Sequence, residues 1–331
     1  MKFFSKLFLV ICILSAGIAK ADFYSFFHKY YLTLTPAFIA SRQIATRLYD
    51  YMSYAQKVST LPEAPEIVVN FCKNQLKDRF DCSGEVGYID PELIHIKINQ
   101  NSRFLETFGN YIIFGPVAAK ELQNALEKRT DEASQATIKI YATFIDHEIS
   151  HLKNNDVKKR LAVFAGTSLL GCAASVYVIN SSKLSYLFKQ PTNINEFFKT
   201  LIAYSCVNQA AISLNDLFTG SYMHYQENRA DDYAISVSKN PEALRAAAKT
   251  LENFDISLRE RIRVTLGITM TNDEFAMWAK EYPYIYSYLR NAFDPSHPSG
   301  VDRAKRMRDA ADQLETARLN EKSDSGAMVF A

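Results

Sequence analysis

The chain has 331 residues, nearly half of them hydrophobic, enough to bury a substantial core in one large domain or two modest ones. Lysine plus arginine (38) nearly balance aspartate plus glutamate (36), leaving a formal charge of +2. That balance excludes the basic excess that nucleic-acid binding needs, and there is no acidic tail.

Residues 1–21 read as a processing signal: Lys2 and Lys6 give a positive start, residues 7–18 are apolar, and Ala19-Lys20-Ala21 is a small-x-small cleavage site. The mature chain is expected to begin at Asp22. An uncleaved anchor is the alternative, although the apolar stretch is short for a span. Either way the rest of the chain is expected to leave the cytoplasm. Cysteine usage agrees with export. Cys12 leaves with the signal, and Cys72, Cys82, Cys172 and Cys206 remain. They allow three pairings. Cys72 with Cys82 would close a short polar loop and leave Cys172 to Cys206; four free buried thiols are the alternative.

Residues 22–65 are expected to form an N-terminal helical segment and a linker. Residues 37–58 carry apolar side chains at helical spacing with Arg42, Arg47 and Asp50 on the other face, and Leu61-Pro62-Glu63-Ala64-Pro65 ends the element. A second helix covers residues 67–76. Residues 93–98 then alternate apolar and polar, as a half-buried strand does, and residues 111–114 form another strand after a Gly109-Asn110 turn. Together they predict a small antiparallel sheet, with His95 on its exposed side.

Helices follow at residues 118–128 and 132–154. The second has an apolar stripe of Ile138, Tyr141, Ile145, Ile149 and Leu152, while Ile140 and Phe144 lie on another side, so it should be buried on both faces. Residues 161–179 carry no charge, and a weaker apolar stretch at 201–214 is interrupted by Asn208 and Gln209. Candidate metal ligands lie before and after this pair, so both stretches cross a membrane or neither does. A hairpin packed on the domain or lying at the membrane surface, and two true spans, both remain open. The mixed-charge run at residues 302–322 reads as a solvated helix.

The chemistry concentrates in His147-Glu148-Ile149-Ser150-His151. Two histidines four apart share one helix face and can grip one metal ion, with Glu148 beside them. A catalytic Zn2+ keeps three protein ligands and an open position, so a third ligand is required. Glu227 is the best candidate. Asp231, four residues on, shares its face and suits a carboxylate accepting the outer imidazole proton of a ligand histidine.

Three motifs carry a family resemblance: His147 to Asp156 (His-Glu-Ile-Ser-His-Leu-Lys-Asn-Asn-Asp), Glu227-x-x-x-Asp231 with Ala230 before the aspartate, and His297-Pro298 followed by Arg303. With them the chain resembles the HtpX and CaaX-prenyl-protease type of zinc metallopeptidases, the gluzincins, and most of all their exported bacterial members. It departs from that pattern with His224 in place of an arginine, and with Gly115-Pro116-Val117 after the strand. The resemblance implies a mostly helical α+β, zincin-like domain over residues 66–331, with a small antiparallel sheet and an apolar helical hairpin at about 161–214. It also implies that His297 or Arg303 approaches the active site and donates to the oxyanion of the reaction.

The expected function is an exported zinc-dependent endopeptidase in envelope protein quality control, in the periplasm or associated with the inner membrane. His147, His151 and Glu227 would hold one zinc ion, and Glu148 would be the general base. Its substrate would be unfolded or extended polypeptide lying against an edge formed by residues 111–114. A membrane surface or envelope proteins are further expected partners; nucleic acid is not. A non-cleaving, metal-stabilised chaperone or binding module would use the same groove. A prenyl-peptide protease would need genuine spans and an enclosed chamber.

Overall fold

The computed structural model describes residues 32–80, 90–102, 104–181, 183–294 and 297–327. The expected signal at 1–21 and Cys82 lie outside the described residues. Contacts group the described residues up to Met52 with Arg160–Thr219 in one unit, and Ser53–Lys159 with Gly220–Ala331 in another. Helices α1 (Leu32–Ser59), α5 (Asp156–Asn180) and α6 (Ile194–Val237) each contribute residues to both.

The larger unit continues with α2 (Glu66–Phe80), β1 (His95–Ile98), β2 (Leu105–Phe108), β3 (Tyr111–Phe114), α3 (Pro116–Glu127) and α4 (Glu132–Lys153). After α6 come α7 (Pro241–Thr265), α8 (Asn272–Glu281), α9 (Pro283–Phe293) and α10 (Gly300–Ala327). The fold is mostly helical with one small sheet, as the sequence leads one to expect, but that sheet is mixed rather than antiparallel. β3 is its centre, pairing parallel with β1 and antiparallel with β2. The unanticipated β2 returns to β3 through Gly109-Asn110; Gly109 has φ 58°, the positive φ that a two-residue hairpin turn starting with glycine uses. β3 is therefore no edge. The outer side of β1 is also taken, since Ala64 N donates to Ile96 O and Ile98 N to Pro62 O. Among the described strands, β2 keeps an open edge.

Helix α4 is buried on two faces. Tyr141, Ile145, Ile149 and Leu152 enter a core with Val68, Leu76, Ile112, Phe114 and Leu122, and Phe144 enters a second core with Ala247, Leu251, Ala304 and Met307. Asp131 caps its first turn by accepting from Ser134 N. At the other end Asn155, with φ 51°, takes the left-handed conformation that closes a helix, and the chain restarts as α5 at Asp156. Gly300 opens α10 hard against α7: a Cβ there would come 2.5 Å from Leu251 O, so a side chain would push the helix away.

In the smaller unit α5 and α6 form an antiparallel pair. Asn215 Nδ2 donates to Ser168 Oγ at 3.2 Å, Thr167 Oγ1 donates to Asn215 Oδ1, and Gly171 faces Ala211 closely enough that an added Cβ would lie 3.4 Å from the alanine Cβ. This register corrects the cysteine pairing. Cys172 sits beside the Gly171–Ala211 crossing, about 6 Å along the axis from Cys206 at 1.5 Å per residue, and both are free thiols. Cys72 is also free, buried in the core of the larger unit. The apolar stretch at 201–214 and the segment carrying Glu227 are a single 44-residue helix, α6. Asn208 does not interrupt it: its Nδ2 donates to Tyr204 O one turn back, and it is buried.

Candidate metal centre

Two helices of the larger unit supply the donor set. On α4, His147 and His151 stand one turn apart, buried, with ring planes at 80° to each other. On α6, Glu227 faces them. Its Oε2 lies 3.4 Å from His147 Nε2 and its Oε1 3.4 Å from His151 Nε2, while the two Nε2 atoms are 3.1 Å apart. His147, His151 and Glu227 thus offer three ligand atoms, all within 4.8 Å of one another, in a group placed to hold a metal ion.

Each imidazole is held from behind by a carboxylate. His147 Nδ1 lies 2.9 Å from Asp231 Oδ1, and His151 Nδ1 lies 2.8 Å from Asp156 Oδ2. Such partners orient each ring so that its Nε2 faces the other donors. Both carboxylates are themselves paired with arginine. Arg303 on α10 grips Asp231 through Nε and Nη2, each at 2.8 Å, and its Nη1 lies 3.4 Å from Glu227 Oε2. Arg229 bonds Asp156, whose backbone carbonyl also accepts from Gln226 Nε2 at 3.0 Å. Histidines and carboxylates in this site are therefore never buried as lone charges, which would be prohibitive.

The electrostatics follow from that pairing. Burial acts to raise the carboxyls of Asp231 and Glu227, yet Arg303 and His147 hold both well below the usual carboxylate range. Burial acts to strip His147 of its proton, but Asp231 and Glu227 outweigh it and push the imidazole up to about 10. Burial opposes the charge of Arg303 as well, and Asp231 and Glu227 reverse that too.

Glu148, one residue past His147, is buried, and Thr107 Oγ1 on β2 donates to its Oε2. His297 is placed differently. Its ring is about half exposed (49 %) and its Nδ1 is 2.9 Å from Asp294 Oδ1. Its loop is tied down because Arg290 donates to the carbonyls of His297, at 3.0 Å, and Pro298, at 2.5 Å. His224 is half-buried, and burial with the nearby Arg290 and His297 lowers its pKa. His95 is exposed on β1.

Of the residues singled out in the sequence, the structure brings together His147, Glu148, His151, Glu227, Asp231 and Arg303. Three partners had not been recognised: Asp156, Arg229 and Thr107. Asp156 closes the motif that starts at His147, and Arg229 is two residues after Glu227, so both stood inside segments already marked as chemical. Thr107 carried no such signal.

A family model described as peptidase family M48 matches residues 129–311, a stretch that contains every residue of the centre except Thr107. No curated protein and no solved structure matches the chain.

Proposed function

The chain belongs to peptidase family M48 and so is a metallopeptidase, and on that premise we propose that it is a zinc-dependent endopeptidase of the cell envelope, akin to the exported HtpX-type members. The donor set fits zinc. A tetrahedral ion with bonds of about 2.0–2.1 Å sets its ligands about 3.3–3.4 Å apart; here the two imidazole nitrogens are 3.1 Å apart, and each lies 3.4 Å from one oxygen of the Glu227 carboxylate. That convergence of two buried imidazole nitrogens on one buried carboxylate is the observation that carries the reading.

His147, His151 and Glu227 would hold the ion, which when bound would supply Lewis acidity toward water and the scissile carbonyl. Every other step falls to the chain's own side chains. Glu148 accepts the proton of the attacking water and later returns it to the leaving amine. Asp231 and Asp156 keep the two imidazoles turned outward. Arg303 holds Asp231 and leans on Glu227, which makes it a positioning residue; its Nε and Nη2 are already bound to Asp231. That leaves His297, on a loop anchored by Arg290, as the candidate donor to the oxyanion.

An extended polypeptide would pair with β2. This relocates the docking strand expected at residues 111–114, because β3 is central and the far side of β1 is covered. Backbone pairing of that kind is tolerant of sequence and suits unfolded envelope proteins.

The test is casein cleavage by the purified chain, with metal content measured in parallel. We expect about one zinc per chain, cleavage abolished by chelation and restored by zinc, and an inactive Glu148→Gln variant that still holds zinc. A metal-loaded wild type inert toward every unfolded substrate would overturn the peptidase reading in favour of a binding module.

A further inference from the structure

If an extended polypeptide pairs with β2, as the proposed function holds, the side chains of β2 decide which polypeptide it favours. β3 divides its backbone between two neighbours. The carbonyls of Asn110 and Phe114 accept from His95 N and Asn99 N, each at 2.9 Å, so Ile112 and Phe114 turn their backbone groups to β1. Tyr111 and Ile113 turn theirs to β2, where they meet Phe108 and Glu106. Gly115 N, donating to Phe104 O at 2.6 Å, continues the same alternation. Along an antiparallel strand, successive residues aim their backbone groups to opposite sides. The N–H and C=O groups of Leu105 and Thr107 therefore face the side of β2 that no described strand covers. A guest bonded to them sets one of its residues opposite Glu106 and another opposite Phe108.

The two faces of β2 differ in chemistry. Leu105 packs against both cores of the larger unit and Thr107 bonds Glu148, so these two look toward α4. Glu106 and Phe108 look the other way, toward Tyr54 near the C-terminal end of α1. Tyr54 Oη donates to Glu106 Oε1 at 2.9 Å, and its ring meets Phe108 edge-on with centroids 4.8 Å apart. Burial and the charge of Glu106 raise the phenol's pKa, so it stays a donor. One tyrosine thereby braces both side chains. Among the described residues no cation pairs with Glu106, and its Oε2 has no donor. Lys97, on the same face two strands away, is held by Glu63 at 2.8 Å instead. Glu106 and Phe108 are both partly exposed. The open strand thus presents a carboxylate oxygen and an aromatic ring, two residues apart and fixed in place.

We propose that β2 selects polypeptide segments in which an aromatic residue is followed two positions later by lysine or arginine. Antiparallel pairing is the more stable arrangement, and it makes the guest residue opposite Phe108 precede the one opposite Glu106. Both fall in pairs that share no backbone hydrogen bond, where the side chains of neighbouring strands come closest. The basic side chain meets the Glu106 oxygen that Tyr54 leaves, and the aromatic ring lies beside Phe108. Directly opposed unlike charges stabilise a strand pair and like charges destabilise it, so a segment with an acid at that position is disfavoured. Glu106 and Phe108 act on specificity, and Tyr54 acts through them as a positioning residue.

Internally quenched peptides test this with the zinc-loaded full chain. They share one neutral frame and differ only in a central Phe-x-Lys, Phe-x-Glu or Lys-x-Phe segment. We expect the wild type to cleave the first with kcat/KM about three- to fivefold above either of the others. Glu106→Lys should reverse the order of the first two. Glu106→Gln, which keeps an acceptor for Tyr54, should make them equal. Equal cleavage of all the peptides by the wild type, or an order that survives Glu106→Lys, would overturn the proposal and leave the peptidase reading standing. Aggregation of the Glu106 variants with an unchanged peptide order would also overturn it, marking the charge as a guard against edge-to-edge pairing alone. If no peptide is cut, the peptidase reading has failed, and fluorescence anisotropy of the same peptides on the wild-type chain decides the selection separately. The expected order of affinities upholds it, and equal affinities sink it.

Discussion

The larger and smaller units bury polar groups for different reasons. In the larger unit the buried polar groups are charges, arranged as His147–Asp231–Arg303 and His151–Asp156–Arg229, and the surrounding cores are apolar. In the smaller unit the buried polar groups are neutral hydroxyls and amides, and they lie in helices that also bury an apolar cluster of Ile179, Phe188, Phe197 and Tyr204. Charge pairs are buried where a reaction needs fixed charge. Neutral hydrogen bonds are buried where two helices cross closely enough for amide and hydroxyl to satisfy each other, as Asn215 does with Thr167 and Ser168. The lesson is that a buried polar residue marks either a reactive site or a helix crossing, and its charge distinguishes the two.

The largest effect that separates the units is chemical. Glu148→Gln should lower kcat by about 10²–10⁴ while leaving bound metal unchanged, read by casein turnover and metal content. Next, Asp231→Asn removes one partner of Arg303 and of His147. It should destabilise the chain by about 3–5 kcal/mol in thermal unfolding and weaken metal binding, because the guanidinium stays buried without its counter-charge. Asp156→Asn should act more gently, since Arg229 is only partly buried: about a 10- to 100-fold loss of metal affinity by titration calorimetry with little change in melting.

Protonation sharpens the comparison further. In the metal-free chain His147 is raised from 6.5 to about 10, so its charge contributes fully to stability below pH 6.5 and that contribution is lost as pH rises through 10. A ligand imidazole must be neutral, so metal uptake at pH 7 should release a proton to buffer. Affinity should strengthen by up to about tenfold per pH unit until that pKa is passed, measurable in two buffers of different ionisation heat. The smallest effect belongs to the other unit. Asn215→Ala, losing neutral bonds to Thr167 and Ser168, should cost about 1 kcal/mol and leave turnover and metal content unchanged.

Helix α4 was legible in the sequence because its two apolar stripes and paired histidines repeat at one clear period. Glu227 and Asp231 were legible through the same four-residue spacing. What escaped had a physical reason in each case. β2 gives no alternation, since Leu105, Glu106, Thr107 and Phe108 are all half-buried, and without it the orientation of β1 against β3 could not be inferred. Asp156 reaches His151 only because Asn155 turns left-handed, a conformation that sequence spacing does not announce. The length of α6 was hidden because Asn208 reads as a break in hydropathy, although in the fold it bonds its own helix and faces inward. The Cys172–Cys206 expectation counted thiols without knowing the register that holds them apart.

Thr107 joins two tasks that are usually separate. Its backbone belongs to the strand whose outer side is open, and its hydroxyl holds the acid on α4. A guest peptide zipped onto β2 in the wrong frame would drag at that hydroxyl and tilt the proton acceptor out of line. Misaligned chains would then be bound yet spared, and fidelity would show in turnover rather than in occupancy.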